Sequence, residues 1–311
     1  MDYGYVYTQA FSSVLDRKGI RIMRRLAKAS LAVVFAQAMA AQVHALGEQS
    51  ASHGIAAHRD IDYIIGAEYA AGRDRLDVFM PAEISDAPVI VFLHGGGLLI
   101  GDKSQGLSLA ESLVPRGIGV VATNYRLSPG VSHPAHVQDA AAAFAWTIKH
   151  IANYGGDPKR VYLAGHSAGA YMATLLALDD SYLHELGLSE SSVRGMIAIS
   201  PFLYVEEVAP DRPKSVWGSD TSTWRQASPT SHVGSWRPPL LFVYADRDAE
   251  WRRDQIKRAV AVLESAGQER VEMVEIQDRD HLSIIEKLVE GDDLASSRIA
   301  DFVLRPKDTM K

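Results

Sequence analysis

Short apolar runs and amphipathic stretches alternate along most of this chain. Residues 88–93 and 119–123 are near-continuous hydrophobic segments of strand length, the pattern of strands buried on both faces. Further strand patterns fall at 160–164, 195–200, 240–244 and 271–276. Between them, residues 137–151 carry Ala140, Ala141, Phe144, Ile148 and Ile151 at helical spacing. Helical patterns also cover 168–178 and 254–266, and 299–304 ends a last helix. This alternation predicts an α/β fold, a mostly parallel sheet with helices on both faces. Ahead of it, 60–65 and 75–80 suit antiparallel strands at the start of such a sheet. The stretch 201–239 breaks the rhythm. It lacks clean periodicity and carries Trp217, Trp224, Trp236 and several Pro and Ser residues. Long connections of this kind form lids or binding loops.

Composition narrows the picture. At 311 residues, one α/β domain over 46–311, with an insertion at 201–239, is the economical count. The absence of cysteine excludes disulfides, a thiol nucleophile and Cys-ligated metal. A formal net charge of −6, with no long basic stripe, argues against nucleic acid as a partner. Residues 23–28 are basic, 29–41 are apolar but too short to span a bilayer, and Val43-His44-Ala45 offers a small-residue cleavage pattern. We therefore expect a signal peptide over 23–45, an upstream extension over 1–22, and a periplasmic or secreted protein. The rival is an amphipathic cap helix on a cytoplasmic protein.

The chemistry concentrates in Gly165-His166-Ser167-Ala168-Gly169, which lies between a strand pattern and a helical pattern. Strand, G-x-S-x-G, helix is the context of a nucleophile elbow, in which a tight, strained turn projects the serine hydroxyl and leaves no room for side chains two residues to either side. The strand at 88–93 runs into His94-Gly95-Gly96-Gly97. Such an H-G-G-G loop accompanies the serine elbow in lipase- and esterase-type enzymes, which places an oxyanion hole at the N–H groups of Gly96, Gly97 and Ala168. A serine needs a base, and on this fold the order is Ser, acid, His. His281 is the base that keeps this order, at the carboxyl end of the strand at 271–276. His184 and His232 break the order, His94, His133, His136 and His150 precede the serine, and His166 is expected to point away from the reaction centre. Asp248, a few residues past the strand at 240–244, is the best acid, with Asp246 and Glu250 as rivals. His133 and His136, split by Pro134 and lacking acidic neighbours, do not make a metal pair.

From residue 61 to 304 the chain resembles α/β-hydrolase esterases of the hormone-sensitive-lipase and arylformamidase-like type. The resemblance rests on His94-Gly95-Gly96-Gly97 with Gly101-Asp102-Lys103-Ser104, Asn124-Tyr125-Arg126-Leu127-Ser128-Pro129, His133-Pro134-Ala135-His136-Val137-Gln138-Asp139, Tyr154-Gly155-Gly156-Asp157-Pro158 and the elbow. His166, where the bacterial hormone-sensitive-lipase group more often has Asp, shifts the match toward arylformamidase-like and feruloyl- or acetylxylan-esterase-like relatives. Within the resemblance, Tyr125, Arg126 and Asp139 look like scaffold residues. It implies a serine carboxylic-ester hydrolase that needs no cofactor or metal and takes small or short-chain acyl or aryl esters. An arylformamidase or a feruloyl or acetylxylan esterase would use the same residues. A non-catalytic binding protein of the same fold would be expected to lack one catalytic member, and all are present here. Phe202, Leu203, Tyr204 and Trp217 are candidates for an acyl or aryl pocket, with a local minicore as the alternative.

Overall fold

The computed structural model describes residues 54–305, apart from 65, 67, 68, 213 and 235–237. The expected extension (1–22), the expected signal peptide (23–45) and Trp236 lie outside the described residues. Eight strands form one sheet: β1 (Ile55–Asp62), β2 (Arg75–Pro81), β3 (Ala87–Leu93), β4 (Gly119–Thr123), β5 (Gly156–His166), β6 (Met196–Ile199), β7 (Leu240–Ala245) and β8 (Val271–Ile276). Their order is β1-β2-β4-β3-β5-β6-β7-β8. β2 runs antiparallel to both neighbours, and the pairs from β4 to β8 are parallel. The helices that pack against the sheet include α1 (Leu107–Leu113), α2 (Ala135–His150), α3 (Ala168–Leu178), α4 (Glu250–Ser265) and α5 (Leu294–Leu304).

The unbroken apolar run of β3 follows from its central place. Val89, Val91 and Leu93 face a core shared with Phe144 of α2 and Leu175 and Leu176 of α3. Ile90 and Phe92 face a second core with Leu109 and Leu113 of α1 and Ile299 and Val303 of α5. Each residue therefore meets a helix layer, whichever way the strand alternation points it. Every residue of α3 is buried, which is why that helix is apolar all round rather than amphipathic.

Two expectations change. The first strand lies over Ile55–Asp62 rather than 60–65. Its register with β2 shifts between His58 and Ile61, where Asp60 adopts φ 55°. Tyr63, past the strand, is buried and donates its hydroxyl to the carbonyls of Arg73 and Asn124, so its apolarity reflects core packing rather than strand alternation. The stretch 201–239 includes short helices at Val205–Val208, Lys214–Trp217 and Thr221–Ala227. Each is too brief to leave a 3.6-residue period in the sequence.

Candidate active site

β3, β5, β7 and β8 run parallel, and the loops that follow them meet at one edge of the sheet, where sites of open α/β sheets assemble. Ser167 follows β5 with φ 55° and ψ −113°, a backbone conformation non-glycine residues rarely hold without surrounding constraint. The constraint is visible on both sides. A Cβ on Gly165 would fall 2.3 Å from the carbonyl carbon of Gly169, and one on Gly169 would fall 1.9 Å from the Leu93 oxygen. The strand, the helix and the end of β3 therefore touch backbone to backbone. The Ser167 N–H is anchored on the Ile199 carbonyl at 2.9 Å.

The structure brings Ser167, His281 and Asp248 together in one relay. His281 Nε2 lies 2.9 Å from Ser167 Oγ, and its Nδ1 lies 2.8 Å from Asp248 Oδ1. The second carboxylate oxygen accepts from Ser200 Oγ at 2.5 Å and from the Ala245 N–H at 3.1 Å. Burial alone would raise the Asp248 carboxyl. Hydrogen bonds from His281 and Ser200, the charge of His281 and the Ala245 N–H outweigh burial and hold the acid below its ordinary value. Asp248 is 3 % exposed, so it can hold one ring orientation while remaining ionised. Arg252, on α4, reinforces the acid: its Nη1 donates to the Ser200 carbonyl at 2.8 Å and its Nε stands 3.7 Å from Asp248 Oδ1. Burial draws that guanidinium down to about 10, against the pull of Asp248.

The rival acids, Asp246 and Glu250, and the Asp280 carboxylate beside His281 lie outside the relay. Asp246 Oδ1 accepts the Arg279 N–H at 3.0 Å, tying the β7 loop to the His281 loop. Glu250 is exposed at the first residue of α4. Asp280 accepts from the N–H groups of Leu282 and Ser283. Asp246 and Asp280 hold loops, and the imidazole bonds to Asp248 instead.

His166 corrects an expectation. It does not point away from the centre: its ring lies 4.8 Å from the His281 ring, and its Nε2–H donates to the His281 carbonyl at 2.7 Å. As the last residue of β5 it alternates with Ala164 onto the sheet face that carries Ile199, Ala245 and Ile276. The loop that carries His281 leaves the end of that same β8 strand. Burial, then the His281 charge, lowers His166 to about 3, so the ring stays neutral and serves as a fixed donor. Sequence reasoning also missed Ser200 and Arg252. The one legible hint was Arg252 standing four residues past Asp248, one helical turn away.

The H-G-G-G loop is pinned from three sides. Tyr125 donates its hydroxyl to the His94 carbonyl at 2.8 Å and stacks on the His94 ring at 4.2 Å. His94 Nδ1–H donates to the Gly95 carbonyl at 2.7 Å, and the Gly95 N–H donates to Gln105 Oε1 at 3.0 Å. Among the described residues nothing accepts from the N–H of Gly96 or Gly97. The N–H of Ala168, at the first turn of α3, has no intrahelical partner. Asp139 accepts from the Arg126 backbone N–H at 2.9 Å and from its guanidinium at 2.6 and 2.8 Å, which fastens the loop after β4 to α2.

The pocket candidates lie beneath the surface. Phe202 and Leu203 are wholly buried and Trp217 nearly so. Phe202 stacks on Tyr171 of α3 at 4.7 Å, and Trp217 meets both rings edge-on. Tyr204 is half-buried under the Arg258 guanidinium. These contacts make Phe202, Leu203 and Trp217 a minicore that seats the insertion on α3, with Trp217 also bordering a cleft away from the relay. A cleft of about 550 Å³ lies along residues 129–133, Lys214, Ser215, Trp217 and Gly218; Ser167, His281 and Asp248 are not among its walls. Among the described residues no group of three or more His, Asp or Glu is placed to hold a metal, and no helix is long and apolar enough to cross a membrane.

A family model described as BD-FAE matches residues 76–261. Esterase LipQ of Mycobacterium tuberculosis (strain ATCC 25618 / H37Rv) is 28 % identical over 291 residues, covering 84 % of this chain and 69 % of that protein. Kynurenine formamidase of Salmo salar is 27 % identical over 236 residues, covering 74 % of this chain and 78 % of that one. Among solved structures, esterase B of Lactobacillus rhamnosis superposes with a TM-score of 0.66 at 21 % identity, over 88 % of this chain and 98 % of that chain. That likeness establishes the α/β-hydrolase fold.

Proposed function

The chain belongs to the BD-FAE family, and on that premise we propose that it hydrolyses small acyl or aryl esters through a covalent acyl-enzyme on Ser167. As a carboxylic-ester hydrolase it needs a nucleophile, a base for that nucleophile's proton, and donors for the charge that develops on the carbonyl oxygen. Ser167 Oγ attacks the ester carbon while His281 Nε2 takes its proton. Asp248 fixes the ring so that Nε2 is the free acceptor, and stabilises the imidazolium without itself becoming protonated. The N–H groups of Gly96, Gly97 and Ala168 receive the oxyanion. His281 then protonates the departing alcohol, leaving Ser167 acylated. Water repeats the sequence with His281 as base, and the acid leaves. The observation that carries this reading is the unbroken relay from Asp248 through His281 to Ser167, at 2.8 and 2.9 Å.

The formamidase relative supports a second substrate class, since a formyl anilide presents the same carbonyl to the same groups. Steady-state kinetics on p-nitrophenyl acetate and N-formylkynurenine separates the two. The ester reading expects the higher kcat/KM on the acetate, lost by about 10⁴-fold or more in Ser167→Ala. A preference for the formyl substrate transfers the assignment to amide hydrolysis, and full activity in Ser167→Ala defeats both. Export also belongs to the reading, supported by the basic and apolar run at 23–45. N-terminal sequencing of protein recovered from cells would show a start at Leu46; a chain retaining residues 23–45 speaks against export.

A further inference from the structure

Arg212 stands beside the oxyanion loop without a counter-charge. A Cβ on Gly97 would fall 2.4 Å from Arg212 Nη1, so the guanidinium fills the space that this glycine leaves open. Among the described residues no carboxylate pairs with it. The Phe202 ring lies beside it, with its centroid 5.8 Å from the guanidinium carbon. Burial lowers its proton affinity. The neighbouring cation differs: Arg252 is committed to Asp248 and the Ser200 carbonyl, and the two guanidinium charges repel.

The backbone that presents Arg212 is stiff. It follows the 3-10 turn Ala209–Asp211, which has proline in its first positions, and holds φ −108° and ψ 155°. The next residue in sequence is Pro213, and a residue before proline is steered to that extended region. A half-buried guanidinium loses solvation that an anion returns more fully than a neutral acceptor. Its forked N–H donors match a carboxylate in bidentate geometry. No carboxylate of the described chain supplies that anion, and Nη1 lies against Gly97, whose N–H is one of the donors that would hold the reacting carbonyl.

Resting on the ester-hydrolase reading above, we propose that Arg212 recognises a carboxylate carried by the substrate, so that the enzyme selects esters with a carboxylate a few atoms from the scissile carbonyl. Two arms locate that carboxylate. p-Nitrophenyl hemiglutarate against p-nitrophenyl butyrate tests the acyl side, and 4-acetoxybenzoate against 4-acetoxybenzamide tests the alcohol side. In at least one arm the charged-to-neutral ratio of kcat/KM should fall about tenfold or more in Arg212→Gln, as expected for losing a hydrogen bond to a charged group, and recover in part in Arg212→Lys. A ratio that moves less than about twofold in both arms, or equal losses on both twins, overturns the proposal. Competition on the wild-type enzyme covers the case of a variant that does not fold. Glutarate should inhibit neutral-ester hydrolysis about tenfold more strongly than glutaramide and weaken with salt; equal inhibition overturns the proposal. A folded wild type that cleaves none of the four esters overturns the ester-hydrolase reading itself, and this proposal with it.

Discussion

The two sides of the site are built by different means. On the sheet side, Ser167, His281 and Asp248 hang from the ends of parallel strands and are held by backbone contacts and a chain of hydrogen bonds. Ser200, Arg252 and His166 each fasten a neighbour of the reacting groups. On the insertion side, short helices are seated by apolar packing of Phe202, Leu203 and Trp217 on Tyr171, and Arg212 is left unpaired. The difference teaches which part is general and which is selective. The sheet side can cleave any ester whose carbonyl reaches it. The insertion side decides which ester that is, through a charge presented on a packed base.

Trp217→Ala puts the larger strain on this comparison. A Trp217 that belongs to a minicore costs about 3–5 kcal/mol of stability in denaturant unfolding when truncated, while the acyl-length profile of the surviving enzyme stays as before. A loss below about 1 kcal/mol with a changed profile would make it a pocket wall and dissolve the distinction. A smaller effect tests the sheet side. Burial, foremost among the influences on each ring, keeps His94 and His136 near 4 and His166 near 3, against about 6.5 when unfolded. All three are neutral when folded, so the unfolded chain binds more protons below about pH 6.5. Their contribution is therefore full above that pH and is lost as pH falls toward 4, and toward 3 for His166. His166→Gln, which keeps a donor for the His281 carbonyl, should lower the slope of stability against pH near pH 5 by about 1.4 kcal/mol per unit. Urea unfolding at pH 7, 6 and 5 measures it; an unchanged slope would mean the ring is not held neutral.

The sheet side was legible in the sequence because its geometry tolerates few residues. Gly165 and Gly169 mark the elbow, since any Cβ there meets backbone. The apolar runs of β3, β4 and β7 mark the buried strands, and the chain order of Ser167, Asp248 and His281 fits the relay the structure shows. Elsewhere the local signal and the tertiary cause diverge. Tyr63 mimics a strand residue while serving the core beyond a bulge. α1, seven residues long, is too short to declare a period. His166 was misread because which face of β5 it occupies depends on where the loop after β8 returns. Arg212 carries no sequence signature at all, because a missing partner is a property of the folded neighbourhood.

The central claim is that one serine is deprotonated by one histidine, and a covalent probe addresses it most directly. A phosphonate ester incubated with the folded protein and mapped by peptide mass spectrometry should leave a single adduct on Ser167, absent in Ser167→Ala and formed far more slowly in His281→Ala. A folded protein that stays unmodified, or is modified at another residue, would contradict the account.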